Sequence, residues 1–251
     1  MRIFKPKPVK FSTFAMLGLS ALAAFSPAFG VGGAKKAESA PSAKPVPQIS
    51  AETRAEIKKL SRESVEILRG GKPKEALQPA LAALSKSEQA FGKDHFEVSK
   101  VLTPLAQIYG ELGQHEKASK VHLRLIPILS RVYGARTTQV ARVREQLSDT
   151  YLKLGQRALA QKELESSLDI KRQVFGPNNV NLAMTLNKVA DFYVANKSTK
   201  KAIPLWEQST GIFRRVFNER NPNLRITSKK LEAAYRATGQ DAKADALIAD
   251  Q

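Results

Sequence analysis

Cysteine is absent from all 251 residues. Disulfides, thiolate metal sites, a cysteine nucleophile and lipoprotein-type lipidation are therefore excluded. Histidine is scarce, with three in the chain. His95 stands in "KDH", and His115 and His122 stand seven residues apart in "GQHEKASKVHL". A zinc pair on one helix wants a spacing of three or four with a carboxylate base, as in H-E-x-x-H, so all three read as structural. "GKPKEAL" offers glycine and lysine without the spacing or the Ser/Thr of a phosphate loop. No nucleophile has a base beside it. The sole tryptophan, Trp206, and the recurring aromatics read as packing rather than as a platform for stacked bases. The chain is expected to hold no cofactor and no metal, and to be non-catalytic.

Acidic residues are also in short supply. Asp and Glu number 23 against 41 Lys and Arg, a formal net charge of +18. Arg2, Lys5, Lys7 and Lys10 precede an apolar segment, and without those four the balance is +14 (18 minus 4). A surplus of this size admits an acidic protein, an anionic envelope or membrane surface, or nucleic acid as partner.

The N-terminus narrows that choice. "MRIFKPKPVK" is basic, "FSTFAMLGLSALAAF" is apolar, and "SPAFG" places small residues where a signal peptidase cuts. This is the three-part pattern of a secretory signal over residues 1–30, with cleavage expected after Ala28 or Gly30. The competing reading is an uncleaved membrane anchor, against which Pro27, Gly30, Gly32 and Gly33 make a poor second half for a spanning helix. The protein is expected to be exported, periplasmic or secreted, which moves nucleic acid down the order of partners. Residues 31–50, "VGGAKKAESAPSAKPVPQIS", cannot bury a face and read as a flexible linker.

From Ala51 onward the chain repeats itself every 42 residues. An aromatic recurs at Phe91, Tyr133, Phe175 and Phe217, followed by Gly92, Gly134, Gly176 and Asn218. A second glycine column is Gly71, Gly113, Gly155 and Gly239, broken by Lys197. Alanine fills 76, 118, 160, 202 and 244, and tyrosine fills 109, 151, 193 and 235, with Ile67 in the first copy. A period of 20–50 residues signals stacked supersecondary units. Between the glycines lie segments of about 20 residues with apolar spacing near 3.6. Each unit is therefore a helical hairpin, with glycines ending helices at positive φ and Pro177 in the first turn of a new helix. The alanine column lets the second helix approach the first, opposite Ser64, Ala106, Ser148 and Ala190, with Glu232 in the last unit. Five hairpins are expected, at 51–92, 93–134, 135–176, 177–218 and 219–251. Pro79, Pro104, Pro127 and Pro204 fall inside predicted helices, where each should kink its helix or shift a boundary.

The small residue and tyrosine of the first helix, the glycine turn and the alanine of the second helix resemble the tetratricopeptide repeat. The 42-residue length, the "FG" at the join and the "DH" or "PNN" after it resemble its kinesin light chain type, most fully in "GPNNVNLAMTLNKVADFYVANKSTKKAIPLWEQSTGIFRRVF". The resemblance covers residues 51–251. It implies an all-α, right-handed superhelical solenoid whose groove binds peptides or protein segments.

The groove can be placed by angle. Tyr151 follows Arg142 by nine residues, and nine steps of about 100° leave the two on opposite sides of their helix. If Tyr151 packs inward, Arg142 faces the concave surface, and so do Lys100 and Lys58 one and two repeats earlier. The same face continues through Gln107, Asp149, Asn187 and Asp191, and the ladder position becomes Met184 and then Ile226. Asp149 and Asp191 otherwise read as solvated groups on equivalent faces of neighbouring repeats. The leading expectation is an exported, non-catalytic scaffold holding an acidic or C-terminal carboxylate segment of a protein along Lys58, Lys100 and Arg142. The alternative is an envelope-associated protein that holds lipid headgroups, wall polymer or nucleic acid by charge.

Overall fold

The computed structural model describes residues 49–217 and 221–249. The expected signal segment, residues 1–30, and nearly all of the expected linker, residues 31–50, lie outside these residues. Ten helices follow one another: α1 Ala51–Arg69, α2 Pro73–Phe91, α3 Phe96–Glu111, α4 His115–Tyr133, α5 Thr138–Lys153, α6 Arg157–Val174, α7 Val180–Ala195, α8 Thr199–Val216, α9 Pro222–Ala237 and α10 Asp241–Ala249. There is no strand among the described residues. Odd-numbered helices are the first of each hairpin and even-numbered helices the second.

One backbone device makes every hairpin turn. The amide of residue 113 bonds the carbonyl of 110, and the amide of Gln114 bonds the carbonyl of Tyr109 at 2.8 Å. These are the two bonds of a Schellman motif, which requires a left-handed residue between them. The same pair recurs at Gly71, Gly155, Lys197 and Gly239. The four glycines of this column have φ between 71° and 74°, and Lys197 is forced to 58°. The tyrosine column is thus also the carbonyl column that closes the turn. The residue after the glycine (Lys72, Gln114, Gln156, Ser198) opens the next helix at once, without a side-chain cap. Four of the five first helices are instead capped by a side chain, Thr137 ahead of α5 being the exception. Ser50, His95, Asn179 and Asn221 each accept a backbone N–H of the helix they start.

The other glycine column behaves less uniformly. Gly92 and Gly134 adopt positive φ (88° and 95°), but Gly176 does not. Pro177 follows it and confines it to extended backbone. Pro177 itself sits in the join, three residues ahead of α7, rather than in the first turn of a helix. The interior prolines shift no boundary. α3, which contains Pro104, spans 16 residues, as do α5 and α7, which contain no proline.

Packing follows the columns. The five alanines are 0–1% exposed, and Ser148 Oγ donates to the Ala160 carbonyl at 2.8 Å, so helix backbones meet there. Successive hairpins interlock through a pair on each second helix and the next first helix. His122 meets Thr150, 28 residues on, at 3.4 Å. At the same spacing Ala80 shares a buried cluster with Ile108, Leu164 with Phe192, and Trp206 with Ala234. Ala80 with Ile108 and Trp206 with Ala234 combine a small residue with a large one, whereas Leu164 and Phe192 are both large; the small Ala234 leaves room for the lone tryptophan. Tyr193 and Tyr235 reach back one repeat, donating to Glu165 and Glu207 at 2.5 Å. Their packing is therefore not confined to their own hairpins. The aromatics at the joins are less buried than a packing role implies: Tyr133 is 44% and Phe217 36% exposed.

Candidate functional site

The first helices form one layer, and named bonds fix their order. Lys188 on α7 binds Asp149 on α5 at 2.7 Å, and Lys230 on α9 binds Asp191 on α7 at 2.7 Å. Asn187 donates to Thr227 Oγ1 at 2.6 Å. Deeper between α5 and α7, Glu145 accepts from Lys171, Ser167 and Thr185. The second helices form the other layer, joined by Arg124 to Glu88 and Arg172 to Gln208.

This corrects the reading of Asp149 and Asp191 as merely solvated groups. Both are clasped by a lysine of the next repeat, and Asn187 is occupied in the same way. Half-exposed pairs of this kind contribute about 0.2–1 kcal/mol each. Their larger effect is to set the spacing of α5, α7 and α9. Towards the N-terminus the equivalent positions are Val65 with Pro104 and Gln107 with Gln146. Neither pair can bridge by charge, and Gln107 bonds Glu111 on its own helix instead.

One cleft has no such clasp. It lies between α1 and α3, measures about 660 Å³ and is lined by Arg54, Lys58, Arg62, Arg69 and Lys100 against Glu66 and Glu97. Five cations against two carboxylates leave +3. Val65, Val101 and Phe91 supply apolar wall. Lys58 and Lys100 are thus brought together, while Arg142, on α5, lies outside this cleft. Lys100 Nζ lies 2.7 Å from Glu97 and over the Phe96 ring. Lys58 and Arg142 are exposed and pair with no side chain among the described residues. Three arginines of the cleft were not anticipated. They lie on the face of α1, and only the position of α3 shows which of its basic residues share a cavity.

A second cleft of about 490 Å³ lies between α7 and α9, with Val194, Ala195, Ala233, Ala234, Ala237 and Trp206 in its wall and the Asp191–Lys230 pair at its rim. It exists because Ala234 stands where the preceding repeat has Phe192, which fills the equivalent space. The Trp206 indole is 3% exposed, and its N–H has no acceptor. Along the same faces, seven residues earlier, Met184 and Ile226 are 55% and 54% exposed.

His95 and His122 hold structural positions. His95 Nδ1 caps α3 and its ring stacks on Phe91. His122 is buried, and desolvation lowers its pKa to about 4, opposed in part by the charge of Asp149. Tyr193 is pushed up to about 12 by burial and by its bond to Glu165. Among the described residues no three His, Asp or Glu side chains gather to hold a metal, and no helix is long and apolar enough to cross a membrane.

Residues 97–173 match the family described as tetratricopeptide repeat. No curated protein matches the chain by sequence. Among solved structures, the nearly identical TPR-like repeats described as a kinesin light chain of Podosopora anserina share 19% identity, cover 78% of this chain and 92% of theirs, and superpose with a TM-score of 0.66. BtubC (BKLC) from P. vanneervenii shares 16%, covers 83% and 90%, and gives 0.62. The apo form of RapI shares 15%, covers 78% and 68%, and gives 0.64.

Proposed function

We propose that this chain, which carries tetratricopeptide repeats of the kinesin light chain type, is a non-catalytic exported scaffold that holds a segment of a partner protein along its first-helix layer. The observation that carries the proposal is the contrast between the two clefts. The α1/α3 cleft is basic and the α7/α9 cleft is apolar, with Met184 and Ile226 exposed along the same layer. A segment with acidic residues or a terminal carboxylate at one end and apolar side chains at the other complements both. Repeat arrays present such extended surfaces, built from several units at once. Export rests on the N-terminal pattern of basic, apolar and small residues.

The partner segment would gain charge-assisted bonds at the arginines and an apolar anchor in the alanine-lined cleft between α7 and α9. Arg142 would contribute at longer range, from the middle of the layer. Random peptide display against the full chain, followed by calorimetry on the selected peptides, tests this. Selected peptides should be acidic at one end and apolar at the other. Reversing Lys58, Arg62 and Lys100 to Glu should weaken binding at least tenfold, while reversing Lys74, Lys120 and Lys162 on the second helices should leave it intact. Equal losses from the two triple variants would mean diffuse attraction by net charge and would rule out a groove.

A further inference from the structure

Several cations of the first-helix layer are matched by carboxylates, among them Lys100 by Glu97, Lys188 by Asp149 and Lys230 by Asp191; three arginines at the joins between hairpins are held differently. Arg131 donates to the Asp94 carbonyl, Arg136 to Gln173 Oε1, and Arg215 to Asn178 Oδ1 and the Pro177 carbonyl. Every one of these acceptors is neutral, so the arginines are held in place with their charge uncancelled. The same bonds tie each join to the helix end of an adjacent repeat, which makes the joins one continuous edge of the array. Asp94 and Asp169 are the exposed carboxylates beside them, and Asp169 lies 4.0 Å from Arg172.

The same edge carries an apolar row. Second helices outlast first helices by two or three residues (18 or 19 against 16 in repeats two to four), and the overhang ends in Val-Tyr or Val-Phe. Val132, Val174 and Val216 recur at one position and are 48%, 44% and 41% exposed, with Tyr133 and Phe217 beside them. Next to the row, a depression of about 450 Å³ is lined by Arg136, Arg144 and Arg172 with Asp169 opposite.

We infer that the join edge of repeats two to four is a docking surface for an anionic lipid bilayer. Valine and aromatic side chains at shallow depth, flanked by arginines, suit the interface between headgroups and acyl chains. The arginine-lined depression takes a phosphate headgroup. A second copy of this chain is a poor occupant, because two such edges would oppose arginine with arginine. The surface lies apart from the α7/α9 cleft and meets the α1/α3 cleft only beside the 92–95 join, which Phe91 and Glu97 flank, so it can anchor the array while the first-helix layer holds its partner.

The absence of cysteine makes the test direct. Val132→Cys and Val174→Cys, labelled with an environment-sensitive nitrobenzoxadiazole probe on the full chain, are titrated with vesicles of phosphatidylcholine alone or with about 30% phosphatidylglycerol. Leu152→Cys, exposed at a hairpin turn, is the control. The apolar segment at 11–25 and the four cations before it can recruit the chain to vesicles, so the edge is read from the probe's position, 132 and 174 against 152. Fluorescence at 132 and 174 should rise several-fold only with anionic vesicles, with little change at 152. Changing Arg131, Arg136 and Arg215 to Gln should weaken that response about a hundredfold, from roughly fivefold per basic residue near the surface. A silent probe at 132 and 174, an equal response to both vesicle types, an equal response at 152, or a rise with protein concentration alone would each overturn the inference. The last of these would assign the edge to contact between copies.

Discussion

Acid should loosen the array at one identifiable point. His122 is 6% exposed between α4 and α5, and burial lowers its pKa from 6.5 to about 4. Thr150 donates its hydroxyl proton to the Gln146 carbonyl at 2.8 Å, so the 3.4 Å contact with His122 is made by Nδ1–H as donor. The neutral ring is then the form the fold accommodates, and a second proton places a charge among apolar side chains. Because the folded pKa lies below the unfolded one, the unfolded chain binds the extra proton first. The stability contribution is complete above pH 6.5, falls as pH drops through the window, and is lost below about pH 4. A gap of about 2.5 units corresponds to roughly 3 kcal/mol in all, and to about 2 kcal/mol at pH 5. For a domain of this size that lowers Tm by about 4–8 °C between pH 8 and pH 5. Circular dichroism melts of the wild type and of His122→Leu, which installs the residue the next repeat uses at this position, separate the effect from general carboxylate titration. The variant should lose most of the fall. An identical fall in both proteins would refute the assignment to His122.

Two substitutions test the columns. Lys197→Gly should raise stability by about 0.5–1 kcal/mol, because the left-handed conformation costs lysine about 1–2 kcal/mol and the greater freedom of glycine returns part of that; an unchanged or lower Tm would show that the turn is unstrained. Ala160→Leu should overpack the α5/α6 crossing and cost about 1–3 kcal/mol; an unchanged Tm would mean the backbones do not meet there.

Much of this architecture was legible because repetition averages out local ambiguity. The tyrosine, glycine and alanine columns gave the period, and the period gave the hairpins. Even the break at Lys197 was visible, although its positive φ follows only from the turn that the tyrosine carbonyls close. Other features depend on contacts between repeats at spacings that differ from the period. Asp149 meets Lys188 and Asp191 meets Lys230 at 39 residues, because the partner lies about one helical turn short of the equivalent position. A search for opposite charges at that offset would have found both clasps. The basic face of α1 was written in the sequence, yet which of its residues share a cavity with Lys100 depends on how α3 packs against α1. Arg142 has the same angular position and lies on α5, outside that cavity. The second cleft was the least readable feature, since it follows from one alanine, Ala234, standing opposite the only tryptophan.

The most direct measurement of the central claim is differential hydrogen–deuterium exchange on the full chain, with and without a selected acidic–apolar peptide. Binding along the first-helix layer predicts slower exchange in α1, α3, α7 and α9, strongest beside the two clefts, with α2, α4 and α6 little changed. Protection confined to the second helices, or spread evenly over all ten, would contradict it.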